Sequence, residues 1–316
     1  MDKKYVIALS GIMLFAAFAI TAFAAAGGKP SGSAGGLFGT GLFDQSCVGV
    51  VDVSGEIATQ DNSGGIFSQG SAGSGTIAQE IKDADADGNV KAILVTIDSP
   101  GGSVVATQEI YDALEKSKKP KVAYFGETAA SGGYYVGVAT DYIVSEPAAL
   151  TGSIGVRATV EDLSPLFEKI GYNTTTFKSG EFKDMGDPSR PMTDGEKAIF
   201  QGIVDEIFQD FKAAVMKHRG DKINNAEIGQ IFDARVMTGR QALGYGLVDA
   251  LGNKDDALSK AAELGGMQDT AEPNICDFSQ KQTNILSELF SSMSYGISKG
   301  IGSMLGTAQG RSISIS

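Results

Sequence analysis

Histidine is nearly missing from this chain. Its 316 residues contain one, His218, together with two cysteines, Cys47 and Cys276. One histidine argues against a histidine-based metal site, and no cluster of candidate ligands has metal-binding spacing. Two cysteines far apart do not make a disulfide framework, although they could pair in a domain facing an oxidising compartment. Basic runs are missing too. Lys and Arg number 26 against 38 Asp and Glu, a formal charge of −12. A nucleic-acid partner needs a basic face, so that class is excluded. Internal repeats are also absent. What remains, 42% hydrophobic and 20% charged, is a globular composition, long enough for one large domain or two small ones.

One long uncharged run is present. Lys3 and Lys4 precede YVIALSGIMLFAAFAITAFAAA, Tyr5 to Ala26. As a helix its ~22 residues rise about 33 Å, enough to cross a bilayer core. The lysines favour a cytoplasmic N-terminus. The expectation is an uncleaved anchor over 1–26. A cleaved signal peptide competes, because Ala22-Phe23-Ala24 fits a cleavage site. Either reading places the main domain on the extracytoplasmic side. Residues 27–46, rich in Gly and Ser, read as a tether.

From Cys47 the pattern alternates. VGVVDVSGEI reads as a strand, GTIAQEIKDADAD as a helix, and KAILVTID as a strand buried on both faces. A helix follows SPGG, then the strand KVAYFGE, the short helix SGGYYVGVAT and the strand DYIVSE. Strands alternating with helices predict an α/β fold with a mostly parallel sheet covered by helices. Met192 to Gly220 reads as a long amphipathic helix, capped by Thr193 with Glu196 three residues on. This domain is expected over 47–265. In the tail, 266–316, apolar residues recur at helical spacing over 284–305, as in a segment lying on a membrane or a neighbouring subunit, or equally in a weakly ordered terminal helix.

Three loops could carry chemistry. In DSPGGSV, Asp98 to Val104, a buried strand runs into two glycines and a helix start. Free N–H groups there could bind an oxyanion, though such a turn needs no function. In GETAASGGYYVG, Ser131 stands where a strand should end and a helix begin. It is either a helix cap or a nucleophile approached closely by substrate. The third region is TGSIGV, Thr151 to Val156, followed by TFKSGEFKDMGDPSRPMT, with Lys178 and Lys183 among glycines. A serine needs a base. His218 sits in MKHRG at a helix end and reads as a cation favoured by the dipole. A lysine is the remaining candidate, provided burial or a cationic neighbour keeps it neutral.

VTIDSPGGSV, ETAASGGYYVGVATDYIVSEPAALTGSIGV and KSGEFKDMGDPSRPMT occur in that order. Together they resemble the SppA signal peptide peptidases, membrane-anchored Ser/Lys proteases of ClpP/crotonase-like fold. The resemblance implies Ser131 as nucleophile and Lys183 as general base, since Lys178 precedes the Ser-Gly pair and does not match. It implies Ser153 as the residue orienting the lysine, and the N–H groups of Gly101 and Gly132 as oxyanion donors. It implies no metal, nucleotide or other cofactor. One copy of the blocks suggests the short form, whose site is completed between subunits of a homo-oligomeric ring. The implied substrates are signal peptides or similar short apolar peptides, bound as an added strand at a sheet edge near KVAYFGE. Two other readings share the fold: a Ser/Lys membrane protease of the kind encoded beside stomatin-like proteins, and an acyl-CoA enzyme.

Overall fold

The computed structural model describes residues 46–61 and 73–279. The expected anchor, nearly all of the tether and the amphipathic segment over 284–305 lie outside the described residues. Among the described residues no helix is long and apolar enough to cross a membrane.

Among the described residues eight strands form one sheet. In chain order they are β1 (Cys47–Ser54), β2 (Val90–Ser99), β3 (Lys121–Ala130), β4 (Tyr142–Ser145), β5 (Leu150–Gly152), β6 (Val236–Thr238), β7 (Ala250–Leu251) and β8 (Ile275–Asp277). The main order is β6-β5-β3-β2-β1-β8, with β4 on β3 and β7 on β4. Every pairing is parallel except β5 with β6. Parallel neighbours need crossovers, and helices supply them. The expected mostly parallel sheet with helical cover is what forms.

β2 shows why. Ile93, Val95 and Ile97 belong to one apolar cluster and Ala92 and Leu94 to another, so the strand is buried on both faces. On the first face lie α1 (Ser74–Ala86), α2 (Val104–Lys116) and α3 (Gly132–Val138). On the second lies α8 (Lys254–Leu264), through Ala257, Leu258, Ala261 and Ala262. The remaining helices are α4 (Ser164–Ile170), α5 (Asp194–Arg219), α6 (Ile228–Ile231) and α7 (Gly239–Tyr245). α5 starts as expected, with Thr193 and Glu196 forming a reciprocal capping box.

Two differences concern the sheet. β8 lies beyond Gly265, in the segment expected to be tail, and pairs with β1. Cys47 and Cys276 form a disulfide across that pair, a pairing that composition had left open. The second difference is a correction. KVAYFGE is not an edge, because β3 is flanked by β2 on one side and by β4 and β5 on the other. Val122 to Phe125 are paired on both sides, so no peptide can add as a strand along them.

β3 changes partner along its length. Val122 to Phe125 pair with β4, whereas Thr128 to Ala130 pair with β5. The split carries the end of β3 and its following residue, Ser131, toward the loop after β5, which holds Ser153. Ser131 N–H donates to Gly152 O at 2.9 Å and ties the two loops together.

Candidate active site

Ser131 occupies the N-cap position of α3, at φ 53° and ψ −119°. Its side chain makes no capping hydrogen bond. The hydroxyl is therefore not spent on the helix, which is what a cap would require. Positive φ is costly for a residue with a Cβ, on the order of 1–3 kcal/mol. Backbone contacts enforce it here: Tyr135 N–H donates to Ser131 O at 2.9 Å, while Ser131 N–H is held by Gly152.

Among the described residues three non-glycine residues have positive φ: Ser131, Ser153 and Ala234. All three line one cavity of about 800 Å³. Strain of this kind persists where the surroundings over-determine it, and functional sites are where it gathers. The cavity also takes in Gly101, Gly102, Thr107 and Gly132. Val104, Val156, Ile207 and Phe211 give it apolar wall, and Arg157 and Asp210 give it charge.

Glycine is required at two of these positions by contact. A Cβ on Gly101, at φ +100°, would lie 2.7 Å from Gly132 N and 2.9 Å from Ser131 Cβ. A Cβ on Gly132 would meet Thr107 Oγ1 at 2.6 Å. The loop at Gly101 is fixed from outside by Ile57, whose N–H donates to Gly101 O and whose C=O accepts from Ser103 N–H. As first residue of α3, Gly132 has no intrahelical acceptor for its N–H. The Gly101 N–H donates to Ser99 Oγ at 3.1 Å. Thr107 Oγ1 is the one buried side-chain polar atom without a partner among the described residues.

The tyrosines after Ser131 hold the helix that carries it. Tyr134 is fully buried and donates to Leu247 O at 2.9 Å. Tyr135 packs against Tyr111 and Phe211, with ring centroids 4.9 Å away in each case, and donates to Gln108 Oε1. Tyr135 also forms part of the cavity wall.

His218 is not among the cavity residues. It lies against α2, its Nε2 3.0 Å from Tyr111 Oη and 3.1 Å from a Glu115 oxygen. Burial pushes its imidazole below the usual histidine value. The expected helix-end cation is thus a half-buried ring whose burial disfavours the charged form.

The two lysines of the third region differ. Lys178 Nζ donates to Glu181 O and forms a 2.8 Å ion pair with Asp184. Lys183 is exposed in the turn before Gly186, makes no ion pair among the described residues, and does not line the cavity. The structure therefore brings Ser131, Ser153, Gly101 and Gly132 together and leaves Lys183 outside the group. Thr107, Arg157 and Asp210 were not legible as site residues. Only Arg157 had a signal, its place directly after TGSIGV.

The pattern of Peptidase family S49 matches residues 113–268, and that of the Clp proteases matches residues 69–146. The protein MJ0651 of Methanocaldococcus jannaschii, whose name provisionally calls it a protease, is 36% identical over 267 residues. Those residues are 84% of this chain and 84% of that one. The chain belongs to peptidase family S49. Protease 4 of Salmonella typhi is 32% identical over 258 residues, 79% of this chain but 41% of that longer protein. The chloroplastic serine protease SPPA of Arabidopsis thaliana is 30% identical over 212 residues, 66% of this chain and 31% of its own. A membrane-bound stomatin-specific protease of known structure superposes with a TM-score of 0.47 at 19% identity, over 75% of this chain and 99% of that one. Membership makes the chain a serine peptidase with a ClpP-like α/β fold.

Proposed function

We propose that this peptidase cleaves short apolar peptides, signal-peptide remnants among them, through Ser131 and a lysine supplied by a second copy of the chain. The observation that carries the nucleophile is Ser131 itself: a strained serine at a helix N-terminus whose hydroxyl does not cap that helix. In the first step neutral Lys183 takes the Ser131 proton as Oγ attacks the peptide carbonyl carbon. The oxyanion lies between the Gly132 N–H and the Gly101 N–H, which leaves Ser99 Oγ to meet it. The C–N bond then breaks, and the lysine returns the proton to the amine. Water, deprotonated by the same lysine, attacks the ester carbonyl; the bond to Ser131 Oγ breaks and the lysine returns the proton to that oxygen. Ser153, also held at positive φ beside the cavity, orients the lysine.

A second copy is favoured by the exposure of Lys183 and by exposed apolar side chains in the neighbouring segments. Leu166, Ile170, Phe177, Phe182 and Ile203 are all exposed, as at a surface that another subunit covers. Ring assembly, a 1–26 anchor and an extracytoplasmic domain complete the proposal. The Cys47–Cys276 disulfide supports an oxidising compartment.

The test is covalent labelling with a fluorophosphonate, then mapping of the labelled residue. Label on Ser131, with turnover of a fluorogenic apolar peptide lost in both Ser131→Ala and Lys183→Ala, is the expected result. Label on another serine, or near-normal turnover in Lys183→Ala, overturns the assignment. Loss of ring-sized particles in Phe182→Glu, together with activity, would accompany a trans lysine. A fully active monomer would exclude one.

A further inference from the structure

Lys183 sits in a segment with little to hold it. Residues 157–183 are mostly exposed. The turn itself has backbone bonds of the shortest range, Lys183 N–H to Gly180 O, Met185 N–H to Phe182 O and Asp187 N–H to Asp184 O. A catalytic base misplaced by about 1 Å can lose 100-fold in rate, so something must fix this turn.

Asp184 supplies the grip, and Arg190 is what grips it. The Arg190 guanidinium donates from Nε and NH2 to the two Asp184 carboxylate oxygens, at 3.2 and 2.8 Å, and from NH2 to the Asp184 backbone O at 3.0 Å. The same guanidinium donates to both oxygens of Glu196, at 2.9 Å through NH1. Glu196 is buried and belongs to the capping box of α5, where its carboxylate accepts from Thr193 N–H at 2.8 Å. The planar guanidinium thus joins an exposed turn to the first turn of a 26-residue helix. Two bidentate contacts on one fork give directional control that a single ammonium cannot.

We propose that Arg190 is a positioning residue for Lys183, clamping the base-bearing turn to the N-terminus of α5 so that the lysine is presented at a fixed angle. The proposal rests on Lys183 as the base. The network joins the exposed turn to the buried Glu196 carboxylate and so holds the turn to the helix. Lys178 also contacts Asp184, but it reaches no group on α5. It neutralises the carboxylate without anchoring it.

The experiment uses the full-length chain and a fluorogenic apolar peptide, with rates normalised to the serines that react with a fluorophosphonate. Arg190→Gln and Asp184→Asn are each expected to lower kcat roughly 10- to 100-fold, with KM changed less than about twofold. The pH at which kcat is half-maximal should move in both variants, since a loosened lysine meets a different environment. Lys178→Gln should leave kcat and that pH in place. A merely structural role would reduce the number of reactive serines and leave both the rate per serine and the pH profile unchanged; that result overturns the proposal. Lys183→Ala is the parallel arm. If it abolishes turnover while Arg190→Gln and Asp184→Asn do not slow it, the clamp fails and the base stands. If Lys183→Ala is active, the base assignment fails and the clamp with it.

Discussion

The Cα of Gly101 packs against the amide of Gly132, so closely that a methyl group on Gly101 would stand 2.7 Å from that nitrogen. The glycine loop after β2 and the helix after β3 therefore share one surface, and that surface is the floor beside Ser131.

Gly101→Ala tests this contact. The new Cβ would also meet Ser131 Cβ and Ala130 O, at 2.9 and 3.1 Å, from a backbone at φ +100°. Peptide turnover should fall by roughly 100-fold or more, with a stability loss on the order of 1–3 kcal/mol. Gly88→Ala is the control, since a Cβ there meets nothing within 4 Å. Urea midpoints and kcat/KM measured on both variants decide the matter. Equal behaviour would mean that the loop has room it does not show.

Thr107→Val should stabilise the fold. The Thr107 hydroxyl is buried without a partner, and a buried unsatisfied group costs about 1–3 kcal/mol. Valine keeps the branched shape and removes the cost. A raised thermal midpoint is expected. A drop instead would show that the hydroxyl has a partner, and activity would then reveal whether that partner is the substrate.

Reduction of Cys47–Cys276 should release β8. The bond closes a separation of 229 residues, for which the chain-entropy argument gives at most about 5 kcal/mol. Cys276→Ser should lower the unfolding midpoint under oxidising conditions, and dithiothreitol should no longer change it. Faster hydrogen exchange at Ile275 to Asp277 would locate the effect, because β8 pairs only with β1 along the main path of the sheet.

Acid should loosen the turn that carries Lys183. Arg190 beside it and the Thr193 N–H hold the Glu196 carboxyl down from its ordinary 4.5 to about 2. Arg190 and Lys178 hold Asp184 lower still. A carboxylate depressed in the folded state contributes stability that is full above its unfolded value and lost as pH falls toward its folded value. The loss therefore lies between about pH 4.5 and pH 2. Limited proteolysis across 178–190 should rise over that interval in the native chain. In Arg190→Gln the susceptibility should be higher at neutral pH and change less on acidification.

Much of this protein was determined by local pattern. The unbroken apolar run of β2 demanded burial on both faces, and two clusters provide it. Thr193 and Glu196, three residues apart, fixed the start of α5 through a local capping box. The glycines and serines of the three loops marked the cavity wall, because small residues are needed wherever backbone must approach backbone. Tertiary structure decided what depends on neighbours distant in sequence. KVAYFGE became part of a central strand rather than an edge because β4, twenty residues on, pairs with Val122 to Phe125. His218 departed from the expected exposed cation because it packs against Tyr111 on another helix, where burial disfavours its charged form. The choice at Ser131 between cap and free hydroxyl also rested on tertiary contacts. The Gly152 carbonyl takes its N–H and holds the residue at positive φ, a backbone state from which the side chain makes no cap. No spacing rule records such a bond, since it joins two loops that only the folded sheet brings together.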